Sequence, residues 1–424
     1  MKILIVGGGG REHAIAWKLS KENNVEKIYC APGNAGIAKV AQCVNISDSD
    51  IENLVKFAKE NNIDLTVVGP EVPLVNGIVD EFEKKGLKIF GPNKECSTFE
   101  GSKAFSKDFM IRHNIPTAKY KEYTNLDEAI SEIDSFGYPV VIKADGLAAG
   151  KGVVIPENRE DAINTLREMM SDKKFGSAGE KIVVEEFLSG IETSILAFVD
   201  NDTIVPMVSA KDHKKVYNFE KGPNTGGMGT FSPSEIYTDE LSKEISEKVL
   251  NRTLEGFKKD NLNYKGVLFI GLMITEDGPK VLEYNVRFGD PETQSVLFRL
   301  ETDLHKIMEA ILDNKLKDIE INYKKEEAVC VMLTSGGYPE DYEKGKVITG
   351  FEDLDEDIVV FHSGTKMLDG NLVTNGGRVI GITTSAESVE EAAKKVYKNI
   401  EKINFEGMHY RTDIGIKLCE EISF

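Results

Sequence analysis

Apolar and polar residues over the first hundred positions predict strands and helices in alternation. The apolar runs that predict strands are Ile3–Val6, Lys27–Cys30, Asp64–Val68 and Leu87–Phe90. Helical spacing is found over Arg11–Ser20 and Ile51–Asn61, and another helix ends near Lys85. Strands that alternate with helices form a doubly wound parallel sheet, and loops at its carboxyl edge bind ligands. We therefore expect an N-terminal α/β domain of this kind.

The rest of the chain follows two other patterns. A block with two glycine clusters, at 145–152 and 175–179, ends in the apolar strand Lys181–Leu188. Strands and helices are mixed from 193 to 323. From Glu327 the chain has short strands separated by turn signals, and one helix near Ala386–Ile403. This predicts a mixed central region and a small C-terminal α+β domain.

The first glycine-rich segment, Gly7–Gly10, lies between a strand and a helix, where backbone N–H groups can face an anion. A dinucleotide site is disfavoured because His13 stands where Gly or Ala is needed, and no acidic residue follows the second strand at Cys30. Arg11 is one of only 9 arginines against 43 lysines, and a guanidinium binds phosphate bidentately. The segment therefore predicts a phosphate site of another type, with a tight turn beside a surface arginine as the alternative.

Two lysines suggest contacts with a polyphosphate. Lys143 ends an apolar strand, where burial without an anionic partner is costly, and Lys151 lies between two glycines. The spacing is not that of a P-loop. A mobile loop that folds over phosphates explains both residues, although Lys151 alone could be a solvated lysine.

A third set of polar residues lies on one strand. Strand alternation places Glu283, Asn285 and Arg287 on the same face. A carboxylate and an amide oxygen suit a hard cation such as Mg²⁺, and the arginine could hold a transferring phosphoryl group. The alternative is a solvent-facing strand surface.

A fourth segment, Gly222–Thr230, holds four glycines and follows Asp212 closely. So many glycines allow close backbone approach to a ligand, but they also suit a mobile surface loop.

Composition narrows the class of protein. Lys and Arg number 52 against 71 Asp and Glu, so the net charge of −19 argues against nucleic-acid or anionic-membrane binding. The longest apolar runs are too short for a membrane helix, and no signal peptide is expected because glycines and charges follow the first strand. Five scattered cysteines predict a reduced, cytoplasmic protein, and the scattered histidines suggest no zinc site.

Several motifs together resemble ATP-grasp enzymes, and specifically the phosphoribosylamine–glycine ligase family. They are GGGGREHA (7–14), APGNAG (31–36), VGPEVPLVNGIVD (68–80), EGSKAFSKDFM (100–110), VIKADGLAAGKGV (141–153), GPNTGGMG (222–229) and NVRFGDPETQ (285–294). The two lysines and the Glu283/Asn285 pair are general to ATP-grasp enzymes, whereas the last two motifs are more specific. Many superfamily members have a further metal-binding acid where this chain has Gly271, so the number of metals stays open.

The resemblance implies the fold and the reaction. We expect a pre-ATP-grasp sugar-phosphate domain over 1–102, an ATP-grasp region over 103–323 with a mobile lid over 124–192, and a C-terminal domain over 324–424. ATP, glycine and 5-phosphoribosylamine would give glycinamide ribonucleotide, ADP and phosphate through glycyl phosphate, with Mg²⁺ or Mn²⁺. A transient contact with the enzyme that supplies phosphoribosylamine is also expected.

The resemblance also implies roles for individual residues. Arg287, Lys143 and Lys151 would act in catalysis, with Glu283 and Asn285 as metal ligands. The nucleotide would contact Lys103, Lys143, Lys151, Glu185, Glu186, Phe187, Leu188 and Glu192. The other substrates would contact Gly8, Gly10, Arg11, Asn34, Pro70, Glu71, Asp212, Thr225, Gly226, Arg287 and Gly289.

Three alternative functions stay open. The first is another ATP-grasp carboxylate–amine ligase or a carboxylase, which a substrate panel would separate. The second is a Rossmann-type oxidoreductase, and the third is a nucleotide-binding protein without activity. His13 counts against an oxidoreductase. A nucleotide-binding protein without activity would have no use for Lys143, Lys151 and the Glu283/Asn285 pair.

Overall fold

The computed structural model describes residues 1–148, 152–172 and 176–416. Its strands are β1 (Lys2–Gly7), β2 (Lys27–Pro32), β3 (Gln42–Cys43), β4 (Leu65–Val68), β5 (Ile89–Phe90), β6 (Tyr120–Tyr123), β7 (Val140–Ala144), β8 (Val153–Val154), β9 (Ile182–Glu186), β10 (Ile191–Val199), β11 (Ile204–Pro206), β12 (Lys211–Asp212), β13 (Lys215–Tyr217), β14 (Lys221–Asn224), β15 (Gly229–Ser232), β16 (Gly266–Thr275), β17 (Gly278–Asn285), β18 (Glu327–Thr334), β19 (Val359–His362), β20 (Thr365–Leu368), β21 (Asn371–Thr374) and β22 (Arg378–Ala386). Its α-helices are α1 (Gly10–Leu19), α2 (Ile51–Glu60), α3 (Glu71–Val75), α4 (Ile78–Glu83), α5 (Lys94–Gly101), α6 (Lys103–Arg112), α7 (Leu126–Glu132), α8 (Arg159–Met170), α9 (Asp239–Ile245), α10 (Asn251–Lys259), α11 (Glu292–Arg299), α12 (Leu304–Leu312) and α13 (Val389–Ile400).

The N-terminal sheet is parallel throughout and has the order β3-β2-β1-β4-β5. The predicted doubly wound α/β fold is thus confirmed. Strand order reverses between β1 and β4, so the loops that follow these two strands open onto one crevice. Those loops hold Gly8–Arg11 and Pro70–Glu71, two of the predicted substrate segments. The strand β3 was not predicted, because two residues are too few to show a periodic pattern.

Both faces of this sheet are covered, which explains its continuous apolar strands. Ile3 and Ile5 pack in one cluster with α1 and α12, and Leu4 and Val6 pack in another with α2 and α4. All four side chains are completely buried. A strand that is buried on both faces has apolar residues at successive positions, and β1 has such an uninterrupted run.

Two antiparallel sheets form the central region. The first has the order β6-β9-β7-β8 and packs with α7 and α8 around its own core, which includes Tyr123, Ile142 and Leu166. The second has the order β11-β10-β16-β17. Its core merges with that of the N-terminal sheet, since Ile270 and Leu4 belong to one cluster. The first sheet is therefore a separate packing unit, and the second is continuous with the N-terminal domain.

The C-terminal sheet has the order β12-β15-β18-β22-β19, with α13 packed against it. Two of its strands, β12 and β15, come from residues 211–232, far ahead of the rest in the chain. The segment between them includes Thr225 and Gly226 and is therefore held at the junction of the central and C-terminal regions. No helix among the described residues is long and apolar enough to cross a membrane.

Candidate active site

Two adjoining cavities lie where the three regions meet. The larger, of about 410 Å³, is lined by Arg11 from the N-terminal crevice, Lys103 from α6 and Arg378 from β22. The smaller, of about 300 Å³, lies between the two central antiparallel sheets. Both are lined by Glu185, Glu283, Asn285, Arg287 and Asp290, among other residues. A molecule in one cavity therefore meets a molecule in the other along the end of β17.

The smaller cavity has apolar walls from both sheets. Val141 and Ile155 line it from the first sheet, and Phe269 and Met273 line it from the second. The predicted nucleotide residues Glu185, Glu186, Phe187, Leu188 and Glu192 all line it as well. Such walls suit a flat aromatic ring.

Two of the three predicted phosphate lysines line the cavities, Lys103 the larger and Lys143 the smaller. The Lys143 Nζ lies 2.8 Å from Glu185 Oε1, and the Lys103 Nζ donates to the Gly146 carbonyl at 3.4 Å. Burial lowers the pKa of Lys103, although the nearby Glu283 carboxylate acts in the opposite direction. Lys151 lies outside the described residues.

Glu283 and Asn285 present oxygen atoms to both cavities. Burial would raise the pKa of Glu283, but Lys214, Lys143 and Lys103 hold it below its usual range, so the carboxylate is anionic. The Asn285 amide donates to Glu283 Oε1 at 3.4 Å, and its own oxygen accepts from Arg287 at 3.3 Å.

This donor set fits a hard divalent cation, which prefers one or two protein oxygens together with phosphate oxygens. Gly271 pairs with Glu283 across the sheet and adds no carboxylate. The described residues contain no group of three or more His, Cys, Asp or Glu arranged to hold a metal. A cation here would therefore depend on the nucleotide for most of its ligands.

Arg287 is oriented by carboxylates from the N-terminal crevice. Its Nη2 lies 3.0 Å from Glu100 Oε1, and its Nε lies 3.6 Å from Glu71 Oε2. The side chain is mostly buried. A fixed guanidinium beside the Glu283–Asn285 strand can stabilise charge on a transferring phosphoryl group without rearranging.

The glycine loop after β1 is closely packed. Arg11 donates from Nε to Glu12 at 2.7 Å and from Nη1 to the Phe288 carbonyl at 3.1 Å. Although burial acts in the opposite direction, the carboxylates of Glu12, Glu71 and Asp290 raise the pKa of Arg11. The Gly9 N–H donates to Glu12, so that backbone donor is already used.

Glycines are required in this loop because it contacts other segments. A Cβ on Gly10 would lie 2.6 Å from the side chains of Gln294 and Ser363, and one on Gly8 would lie 2.6 Å from the Gly33 carbonyl oxygen. Asn34 donates to the carbonyls of Gly8 and His362, both at 2.8 Å. Asn34, Gly8, Gly10 and Pro70 thus shape the crevice without lining either cavity.

Asp212, which is half-buried, and Glu292, which is buried, are two carboxylates on the wall of the smaller cavity. Burial raises the pKa of both, and the charge of Glu292 raises that of Asp212 further. Asp212 Oδ1 has no hydrogen-bond partner among the described residues. A Cβ on Gly227, which has a φ of +116°, would lie 2.6 Å from that atom, and one on Gly289 would collide with Glu292. The glycines therefore leave room for the two acids.

The segment at 224–227 is tied to the C-terminal region. Gly226 donates to the Tyr338 hydroxyl at 2.9 Å, and Arg378 donates to the Gly226 carbonyl at 2.7 Å. Arg378 also lies 3.3 Å from Asp290 Oδ2. Thr225 donates to the Lys214 carbonyl at 2.7 Å. Thr225 and Gly226, two of the predicted substrate residues, line the smaller cavity.

Several lining residues were not predicted as site residues from the sequence. They are Glu100, Lys107, Lys214, Asp290, Glu292 and Arg378. The scarcity of arginine, which marked Arg11, is also a signal for Arg378. No comparable signal marks Lys107 among 43 lysines.

Two antiparallel sheets that hold a nucleotide-sized cleft between them, with lysines at its mouth and an acid–amide pair on its floor, define an ATP-grasp enzyme. The sequence matches family models for phosphoribosylglycinamide synthetase: the N domain over residues 1–100, the ATP-grasp (A) domain over 101–293 and the C domain over 328–417. The chain belongs to this family of ligases, as its motifs indicated.

Similar proteins cover the chain from end to end. It is 52% identical to a phosphoribosylamine–glycine ligase of Caldanaerobacter subterraneus, over 98% of this chain and 99% of that one. The corresponding ligase of Halalkalibacterium halodurans is 48% identical, over 99% and 98%. A crystal structure of phosphoribosylamine–glycine ligase from Thermotoga maritima superposes with a TM-score of 0.85 at 35% identity, covering 98% of this chain and 100% of that one. A biotin carboxylase from Campylobacter jejuni, at 14% identity and a TM-score of 0.74, shares the fold alone; it covers 96% of this chain and 92% of that one.

Proposed function

We propose that the enzyme joins glycine to 5-phosphoribosylamine, using ATP and releasing ADP and phosphate. The observation that carries this proposal is the meeting of two different cavities at Glu283–Arg287. One has the apolar walls and lysines that suit ATP, and the other has arginines that suit a sugar phosphate. A carboxylate must be activated by phosphorylation before an amine can replace one of its oxygens, so both substrates have to reach the same point.

We place ATP in the smaller cavity, with its base beside Phe187 and Leu188 and its ribose near Glu192. Lys103, Lys143 and Lys151 would serve the phosphates, and Glu185 and Glu186 end the strand that borders the base. Glu283 and Asn285 would hold Mg²⁺ or Mn²⁺. The metal would supply positive charge beside the phosphate oxygens during transfer.

We place glycine between the nucleotide phosphates and the Asp212–Glu292 pair. Two carboxylates with raised pKa values, one of which has a buried, unpartnered oxygen, call for a cation, and the ammonium group of glycine is one. A carboxylate oxygen of glycine would then attack the γ-phosphorus, and ADP would leave. Arg287 would stabilise the charge that develops on the transferred group.

We place the sugar phosphate in the larger cavity, where Arg11 and Glu71 lie. The loops with Gly8, Gly10, Asn34, Pro70 and Gly289 shape this end of the site. The amine nitrogen, directed by Thr225 and Gly226, would attack the acyl carbon of glycyl phosphate. The C–O bond breaks, phosphate leaves with its electron pair, and the proton that the nitrogen loses passes to the departing phosphate. Positioning and charge suffice for both steps, so no protein nucleophile is needed.

The remaining expectations extend this proposal. We propose the boundaries 1–102, 103–323 and 324–424 for the three domains, with residues 124–192 as a lid; the separate core of the β6-β9-β7-β8 sheet supports the lid. We also propose that the enzyme acts in the cytoplasm. A transient contact with the enzyme that supplies phosphoribosylamine would protect an unstable amine during transfer.

The direct test is ADP release with ATP, glycine and freshly made phosphoribosylamine, with each omitted in turn. We expect full turnover only with the complete mixture. Replacing glycine by bicarbonate separates a carboxylase from the ligase. Equal ADP release without glycine, or with bicarbonate in its place, would contradict the proposal.

A further inference from the structure

One buried carboxylate bridges two lysines beneath the nucleotide cavity. Glu185 Oε1 lies 2.8 Å from the Lys143 Nζ, and Glu185 Oε2 lies 2.9 Å from the Lys107 Nζ. The side chains of Glu185 and Lys107 are each 2% exposed, and that of Lys143 is 8% exposed. The three groups therefore share their charges in a region with little water to screen them.

Lys107 lines the larger cavity and does not line the one in which we place ATP. Its Nζ also donates to the Thr117 hydroxyl at 2.7 Å, and that hydroxyl donates to the Val281 carbonyl at 2.6 Å. Lys143 instead lines the smaller cavity, together with Glu185. Of the two lysines, only Lys143 is on the lining of the cavity in which we place ATP.

The charges explain why a second lysine is needed. Glu185 holds Lys143 in place, but a carboxylate paired with one lysine forms a neutral pair that attracts phosphate weakly. A second buried lysine on the other carboxylate oxygen brings the group of three to a net charge of +1. Glu185 can then orient Lys143 without cancelling its attraction for an anion.

We propose that Lys107 is a positioning residue that offsets the charge of Glu185, so that Lys143 faces the ATP phosphates with net positive charge. This inference rests on the proposed placement of ATP beside Lys143. It differs from the role expected of Lys103, which lies one helical turn earlier and faces Glu283 and the Gly146 carbonyl.

The ionisation of these groups is consistent with this role. Burial lowers the pKa of Lys107 to about 8, although Glu185 acts in the opposite direction. Burial would raise the pKa of Glu185, but Lys143 and Lys107 together hold it below its usual range. The carboxylate therefore stays anionic, and it depends on both lysines.

The test is a double-mutant cycle on nucleotide binding. Lys107→Met keeps the side-chain length and removes the charge; we expect it to weaken binding of a non-hydrolysable ATP analogue with Mg²⁺ about tenfold, the equivalent of 1.4 kcal/mol. Adding Glu185→Gln removes the uncompensated negative charge. The double variant should then bind the analogue more tightly than Lys107→Met alone.

A purely structural role for Lys107 predicts the opposite result for the double variant, because two buried contacts would be lost instead of one. If the double variant binds the analogue as weakly as Lys107→Met does, or more weakly, the inference is overturned. Lys107→Arg keeps the charge and should bind more tightly than Lys107→Met; equal binding would also overturn it. Lys59→Met, at an exposed position on α2, controls for the loss of one charge.

Thermal unfolding of each variant separates misfolding from a binding effect. If Lys107→Met does not fold, the comparison of Lys107→Arg with the double variant remains, and both should bind the analogue. Failure of both to bind would overturn the inference. Ligation by the wild-type enzyme tests the proposed function separately, since the binding cycle needs neither glycine nor phosphoribosylamine.

Discussion

Glu292→Gln tests whether the Asp212–Glu292 pair holds the ammonium group of glycine. The substitution keeps the shape of the side chain and its Ser194 contact, which measures 3.4 Å, while removing one negative charge. A charge-assisted hydrogen bond contributes about 1.5–3 kcal/mol, which corresponds to a roughly 10- to 150-fold rise in the KM for glycine. The KM for ATP should change little.

The structure favours the lower end of that range. Burial raises both pKa values, and the charge of Glu292 raises that of Asp212 further, so the pair does not hold two full negative charges at all working pH values. Removing Glu292 also relieves the repulsion on Asp212, which then remains as an anionic partner. We therefore expect a rise of about tenfold rather than a complete loss of glycine binding.

The pH dependence gives a second measurement with a definite sign. In the wild type, protonation of the pair should raise the KM for glycine as the pH falls, and the raised pKa values place this change above the range of ordinary carboxylates. In Glu292→Gln, Asp212 loses a negative neighbour, so its pKa falls and the change should move to lower pH.

Initial rates at saturating ATP and phosphoribosylamine, measured from pH 5 to 9, provide both quantities. Glu356→Gln, an exposed substitution, is the matched control. An unchanged KM for glycine, or an equal rise in the KM for ATP, would refute the placement of glycine at this pair. An unmoved pH profile would show that Glu292 and Asp212 do not titrate as neighbours.

Three further predictions concern the other parts of the site. Glu283→Gln or Asn285→Ala should lower metal-dependent turnover about 10²–10³-fold, because a positioned group beside the phosphates is lost; near wild-type rates at limiting Mg²⁺ would remove that residue from the metal site. Arg11→Ala should raise the KM for phosphoribosylamine and leave that for ATP nearly unchanged, since a charge-assisted contact worth about 1.5–3 kcal/mol is lost; a rise for ATP instead would place the nucleotide at this loop. Limited trypsin digestion should cut after Lys151 in the free enzyme, and a non-hydrolysable ATP analogue with Mg²⁺ should suppress the cut; equal cleavage in both conditions would argue against closure of that loop over ATP.

The sequence by itself determined the main parts of the fold. Strands buried on both faces, such as Ile3–Val6, appear as continuous apolar runs, and the loops after them stand out through glycine and proline. The alternation of side chains between the two faces of a strand was enough to place Glu283 and Asn285 together, because residues two positions apart share a face. The motifs identified the family for the same reason: each is contiguous in the chain.

Only the tertiary structure decided which distant residues share a charge or a cavity. Arg378 reaches Gly226 because β12 and β15 join the C-terminal sheet, a pairing that no local pattern shows. Lys107 gains its role in the site from Glu185, which lies 78 positions later in the chain. Periodicity reports which face of an element a residue occupies, but the partner across that face depends on how the elements pack. Electrostatic roles in this site arise from such partners, so they emerged only with the fold.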